Sequence, residues 1–318
     1  MTVRAPESPP RTPLARRAWS LWTRDWRLYV MLAIPVAYLL LFKYAPLGGL
    51  RLAFQGKPVK ISLPYSGDFV GLQIFRDVFK NRDFWHVLRN TLMLNVLDLV
   101  VGFPFPILLA LLLNEVRHSA FKRLSQTVLY LPHFLSWVII SGIMYQLLSP
   151  HSGLINVLIK KGGGTAIPFL TENTHWVASY VLIGVWQNMG WGSIIYLSAI
   201  SSISPELYEA ATMDGAGRWR KVFSVTLPCI RSTIVVMLIL QLGRMMGSGF
   251  ERAYSMGNMM VRNVYNVISI FVRENGLSSV PPKYNFSTAV GMFQSVVGLV
   301  LVLMADFVCK RMGEEGLL

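Results

Sequence analysis

Cysteine is almost absent: Cys229 and Cys309 are the only two in 318 residues. That excludes a disulfide scaffold and any paired-cysteine metal motif. Charge is scarce too, at 14% of residues, and carboxylates are scarcer than cations, 16 against 30. The histidines, His86, His118, His133, His151 and His175, stand far apart, and no His-Glu-x-x-His or Gly-x-Ser-x-Gly segment occurs. Neither a zinc hydrolase nor a nucleophile-elbow esterase is legible. Gly162, Gly163, Gly164 and Thr165 lack the Gly-Lys-Ser/Thr ending of a phosphate loop and follow no strand pattern. They read as a flexible connector, and the chain itself is expected to bind no cofactor and no metal.

What the chain has is apolar length. Hydrophobic residues make up 53% of it, gathered into runs of about 20 residues, the span of a bilayer core. Six such runs are expected, near 28–47, 88–113, 127–148, 176–200, 230–249 and 287–309. The fold class is therefore all-α: a polytopic membrane helix bundle with six transmembrane helices, over residues 28–318. Residues 1–27 read as a cytoplasmic tail in which Trp19, Trp22 and Trp26 alternate with arginines as in an interfacial helix. No small-residue cleavage site follows the first run, and Lys43 and Tyr44 stand at its end, so it is expected to be a retained anchor.

The formal charge of +14 would suggest nucleic acid in a soluble protein. Beside membrane spans it sets topology and meets anionic lipid instead, and no nucleic acid partner is expected. Arg4, Arg11, Arg16, Arg17, Arg24 and Arg27 put the N-terminus in the cytoplasm, and an even number of spans returns the C-terminus there. Both cysteines then fall at cytoplasmic ends of spans. The long connections 48–87 and 251–285 face outward, with helical spacing in Phe75–Phe84 and Val264–Val272.

Polar side chains inside spans are costly and so informative. Thr91, Asn95 and Asp98 share a face of the second run. Gln187, Asn188 and Trp191 lie mid-way along the fourth, Gln241 and Arg244 in the fifth, and Gln294 in the sixth. Two readings stand. One is a substrate pathway through Gln187, Asn188, Trp191, Asn95, Asp98, Gln241 and Gln294, with rings and amides suited to a sugar. The other is hydrogen bonding between packed helices. Gly184, Gly190 and Gly192 point to close helix packing rather than a hinge.

The segment from Ser204 to Pro228 is polar and lies between two apolar runs. Ser204 suits an N-cap, Pro205 the first helical position, and Glu206 the positive end of the dipole. Asp214 and Gly215 then break the helix, and a short amphipathic run leads to Pro228. Glu209, Ala210, Ala211, Asp214, Gly215, Ala216, Phe223, Leu227 and Pro228 resemble the cytoplasmic signature loop of permease subunits from binding-protein-dependent ATP-binding cassette importers. Lys43–Phe54 (KYAPLGGLRLAF), Tyr130–Phe134 (YLPHF), Gly249–Arg252 (GFER) and Gly313–Leu318 (GEEGLL) are similar to the oligosaccharide and polysaccharide branch, which includes carriers of alginate and other acidic sugars.

The resemblance implies that 204–228 docks in a cleft of a separate ATPase through Glu209, Ala210, Ala211, Asp214 and Gly215. It implies two ATP-binding subunits carrying ATP and Mg, a second permease subunit, an extracytoplasmic sugar-binding protein, and a bacterial inner-membrane location. The chain would break no bond in the sugar. Importers of peptides or other solutes, and a secondary transporter, are the alternatives.

Overall fold

The computed structural model describes residues 26–56, 67–247, 249–311 and 313. The N-terminal tail before Trp26, Pro58 and Pro64 of the first long connection, and Glu314–Leu318 lie outside the described residues. Helix dominates, and the described residues contain no strand, only an isolated bridge between Gln55 and Phe69.

The chain forms two compact units, divided between Arg51 and Leu52. The first contains α1 (Trp26–Leu39), which passes into a π turn over Leu40–Tyr44 and then a 3-10 stretch, Ala45–Phe54. No side chain of α1 is buried, as suits a segment surrounded by lipid tails.

The second unit takes the last residues of that stretch, from Leu52, and its first α-helix is the short α2 (Gln73–Lys80). Asn81 stops it and starts α3 (Arg82–Leu97), its Oδ1 accepting from the Asp83 and Phe84 amides at 2.8 and 3.3 Å. A π turn over Asp98–Gly102 joins α3 to α4 (Pro104–Glu115). The expected third run, 127–148, is not one straight span. α5 (Ser119–Tyr130) passes through a 3-10 turn at Leu131–Phe134, and α6 (Trp137–Leu148) leaves at 102° to it. Pro132 supplies no amide, Leu135 is extended, and Ser136 caps the new helix, its Oγ accepting from the Ile139 amide at 3.4 Å.

After α7 (Leu154–Lys161) comes α8 (Asn173–Ser201), the longest single helix. Then follow α9 (Pro205–Met213), α10 (Arg218–Lys221), α11 (Leu227–Cys229) and α12 (Arg231–Arg244), the last leaving its approach at 62°. α13 (Phe250–Met256), α14 (Arg262–Tyr265) and α15 (Ile268–Arg273) fill the second long connection, more helical than the spacing suggested. α16 (Tyr284–Arg311) closes the chain.

Among the described residues, three helical stretches are long and apolar enough to cross a membrane, 26–54, 82–115 and 284–311, or up to five if each bent pair counts as one span. α8, the fourth expected run, falls outside that number. Its 29 residues would reach roughly 43 Å at ~1.5 Å each, so length is not the reason. Gln187, Asn188, glycines and tryptophans lower its apolarity, and it can carry them because one side of it is the packing axis for other helices. α3, α4, α5, α12 and α13 all pack on it.

Trp176 shows the cost and its compensation: it is fully buried, and its Nε1 donates to the Met256 carbonyl at 2.9 Å. Burial of so large a ring stabilises by about 3 kcal/mol once that donor is satisfied. The three α8 glycines are close-approach positions. A Cβ at Gly190 would strike the Leu129 carbonyl, one at Gly192 would lie 3.0 Å from Pro106, and one at Gly184 would overlap the Arg252 guanidinium. Outside this axis, Val296, Leu299, Leu303, Met304 and Phe307 leave an apolar stripe exposed along α16.

Candidate functional site

The polar connection before α12 folds as a helix, a turn and a helix. Pro205 takes the first position of α9, but Ser204 makes no side-chain cap bond; its carbonyl accepts from the Leu207 amide at 3.2 Å instead. α9 ends where Gly215 adopts φ +75°, a left-handed conformation that glycine enters without steric cost. The Asp214, Gly215 and Ala216 amides close the turn on the Ala210, Thr212 and Ala211 carbonyls, at 3.0, 3.0 and 2.8 Å. One side-chain bond ties the two arms: Tyr208 Oη to Thr226 Oγ1, 3.0 Å. No residue of α9 or α10 is buried. Glu209, Ala210, Asp214 and Gly215 are exposed and Ala211 is half-buried. Met213, Trp219 and Phe223 are left 88%, 74% and 65% exposed. Large apolar side chains so exposed on a polar segment form a surface without a partner in this chain.

The second feature is a cavity of about 540 Å³ between α8, α12 and the three irregular breaks of the chain. The π turn and the residue after it supply Asp98, Gly102 and Phe103, the 3-10 turn His133, and the start of α13 Gly249 and Arg252. α8 contributes Asn188, Trp191 and Tyr196, and α12 contributes Met237, Gln241 and Arg244. Each irregular turn replaces a smooth helical wall by a groove, which is how such breaks commonly mark functional positions.

Charge in the cavity is uneven. Arg252 is buried and forms an ion pair with Asp98. Its guanidinium lies 3.6 Å from the Tyr180 ring centroid and 5.4 Å from that of Trp137. Gly249, at φ +86°, starts α13 where a Cβ would meet Tyr180 Oη at 2.8 Å. Asp98 and Arg252 thus cancel within the wall. Arg244 is exposed and lines the cavity, and its side chain makes no ion pair or hydrogen bond among the described residues. Opposite the charges, His133 stacks on Trp191 with centroids 4.8 Å apart and planes 1° from parallel, and Phe134 meets Trp191 edge-on. Asn188 spends one donor on the Gly184 carbonyl, 3.0 Å, and keeps its oxygen free.

Of the residues expected on a pathway, the cavity gathers Asp98, Asn188, Trp191 and Gln241. Asn95, Gln187 and Gln294 are not among its lining residues. Asn95 Nδ2 donates to the Thr91 carbonyl at 2.7 Å. Gln187 is buried within α8, its Oε1 without a partner. Gln294 Nε2 donates to the Met246 carbonyl at 2.5 Å, joining α16 to the end of α12. Thr91 Oγ1 accepts from the Ile268 amide at 2.9 Å and so holds the start of α15. Sequence reasoning placed no site role on His133, Trp137, Tyr196 or Arg252. Sequence position hid Arg252, which falls beside Glu251 at the start of the connection 251–285 and outside every expected span. No group of three or more His, Cys, Asp or Glu able to hold a metal occurs among the described residues.

Residues 102–313 match the family described as the binding-protein-dependent transport system inner membrane component. Protein LplB of Bacillus subtilis (strain 168) is 43% identical over 294 residues, 92% of each chain. The polygalacturonan/rhamnogalacturonan transport system permease protein YteP of the same organism is 44% identical over 91% of this chain and 89% of its own. Among solved structures, a chain of a bacterial alginate ABC transporter, crystallised with an alginate pentasaccharide-bound periplasmic protein, superposes with a TM-score of 0.84 at 38% identity. It covers 95% of this chain and 100% of that one. The matched span, the cavity at the breaks of the bundle and the exposed helical elbow agree, and the chain belongs to the inner-membrane components of binding-protein-dependent transport systems.

Proposed function

We propose that this chain is one of two permease subunits of an ATP-driven importer of oligosaccharides, with acidic sugars as the preferred class. A binding protein on the outer side delivers the sugar. Two ATPase subunits carry ATP and Mg, and one of them docks on the 204–228 elbow from the cytoplasm, where both termini lie. Met213, Trp219 and Phe223 supply the apolar part of that docking surface, Glu209 and Asp214 its charge, and Ala210 and Ala211 permit close approach. The cavity gives the sugar one side of its path at a time. This chain performs no bond chemistry.

The observation that carries the reading is the make-up of the cavity. A stacked His133–Trp191 pair offers a flat apolar face, Asn188 and Gln241 offer amides, and Arg244 is a cation with no counter-charge. Sugar C–H faces suit the rings, hydroxyls the amides and a carboxylate the guanidinium. The names of similar proteins, for polygalacturonan and alginate, support the acidic class. A secondary carrier would need a free carboxylate in the path, whereas Asp98 is engaged by Arg252.

The test is ATP-dependent uptake by the reconstituted complex. Arg244→Gln should raise the KM for an acidic oligosaccharide about tenfold, a charge-assisted hydrogen bond being lost, and leave that for a neutral one nearly unchanged. Equal effects on both would remove the acidic preference. Uptake with the ATPase subunits absent would overturn the importer reading itself.

A further inference from the structure

A second cleft, of about 390 Å³, shares no lining residue with the cavity described above. It lies between the start of α3 and the α14–α15 segment, on the outer face in the topology proposed here. Its rim is fixed by backbone acceptors. Asn90 Nδ2 donates to the Asn263 and Asn266 carbonyls at 2.8 and 3.1 Å, and His86 Nε2 meets the Asn263 carbonyl at 2.9 Å. Arg262 and Glu274 pair across one wall at 2.8 Å.

Inside this frame the side-chain groups are unspent. Asn266 Oδ1 is buried and has no hydrogen-bond partner. The side chains of Asp83, Asn263 and Lys283 are exposed and make no hydrogen bond or ion pair among the described residues. A buried acceptor without a donor carries a desolvation cost that nothing offsets. A ligand with several hydroxyls in a small volume would supply that donor and acceptors for Lys283 and Asn263. An apolar ligand would leave every one of these groups unpaired. The one large ring in the lining, Phe271, is itself buried and provides no open stacking face.

We propose that this cleft is a second saccharide-binding site, which holds part of the sugar chain outside the central cavity. The proposal rests on the function given above. Hydrogen bonds without a ring platform compete with water and hold a lone sugar poorly. They gain weight when the same chain is anchored elsewhere, because the second contact is then intramolecular. The site therefore acts on long chains and leaves short ones alone.

Uptake of a galacturonate disaccharide and a galacturonate hexasaccharide by the reconstituted importer, complete with its partner subunits, tests this. Asn266→Ala removes an acceptor that bonds nothing and Lys283→Gln an exposed side chain, so the double variant should assemble normally. Its KM for the hexasaccharide should rise about fivefold to thirtyfold, the worth of one or two hydrogen bonds, with that for the disaccharide within about twofold of wild type. Lys283→Gln alone should move the hexasaccharide in the same direction by less. An unchanged KM for both sugars overturns the site, and an equal rise for both overturns it too and assigns the cleft to binding-protein docking instead. A wild-type complex that imports neither sugar overturns the function itself, and this site with it.

Discussion

The elbow over 205–229 and the central helix α8 are of similar length and lie next to each other in the chain, yet they are held in opposite ways. α8 is packed on one side at intervals from Trp176 to Ile200 by other helices of the same unit, with Leu182 and Ile195 left exposed on the other. In the elbow only Thr226 is buried, and Met213, Trp219 and Phe223 face outward. Trp176, Tyr180, Tyr196 and Ile200 in the first obey the packing of this chain. Those of the second answer to a surface this chain does not contain. A substitution should therefore damage folding in one region and communication in the other.

The largest expected effect lies against α8, where the Arg252 guanidinium of α13 packs on Gly184. Arg252→Ala leaves Asp98 without its counter-charge in a largely buried wall, and breaking a buried pair costs about 3 to 5 kcal/mol. The thermal unfolding midpoint of the purified complex should fall clearly. A midpoint equal to wild type would mean that the wall does not depend on the pair.

Gly215→Pro sharpens the contrast from the other side. Proline fixes φ near −65°, whereas Gly215 sits at +75°. The α9–α10 turn should be lost, and with it transport and substrate-stimulated ATP hydrolysis. Because nothing in α9 or α10 is buried, global stability should stay within about 1 kcal/mol of wild type. A large drop in stability together with intact stimulation would invert the comparison.

The smallest effect belongs to Trp191→Ala. It removes the ring that stacks on His133, and half-maximal ATPase stimulation should need about twofold to tenfold more sugar. An unchanged requirement would give Trp191 a packing role only.

The elbow was readable because its signals are local. A proline at the first helical position and an Asp-Gly pair at the stop act within a turn or two, and the structure follows them, apart from the cap expected of Ser204. The apolar runs were readable as lengths but not as shapes. Nothing in hydrophobicity alone distinguishes a straight span from 119–148, where Pro132 and Ser136 turn the chain by 102°. Thr91 and Gln294 were visible as polar residues in apolar runs, but what each touches, the Ile268 amide and the Met246 carbonyl, is set by segments far away in sequence. The Asp98–Arg252 pair joins residues 154 positions apart for the same reason.

The π turn at Asp98–Gly102 has one more consequence. Each residue of an α-helix advances the azimuth by about 100°, so a widened turn puts α3 and α4 out of phase. The stripe that faces inward before Asp98 is not continued by the same heptad positions after Gly102. A one-residue deletion there would close the widened turn into a regular ladder and leave α4 aimed nearly as before, because the widened turn is what absorbs the extra residue. In this rod the irregularity lets two stripes of different sequence register bury themselves along a single crossing.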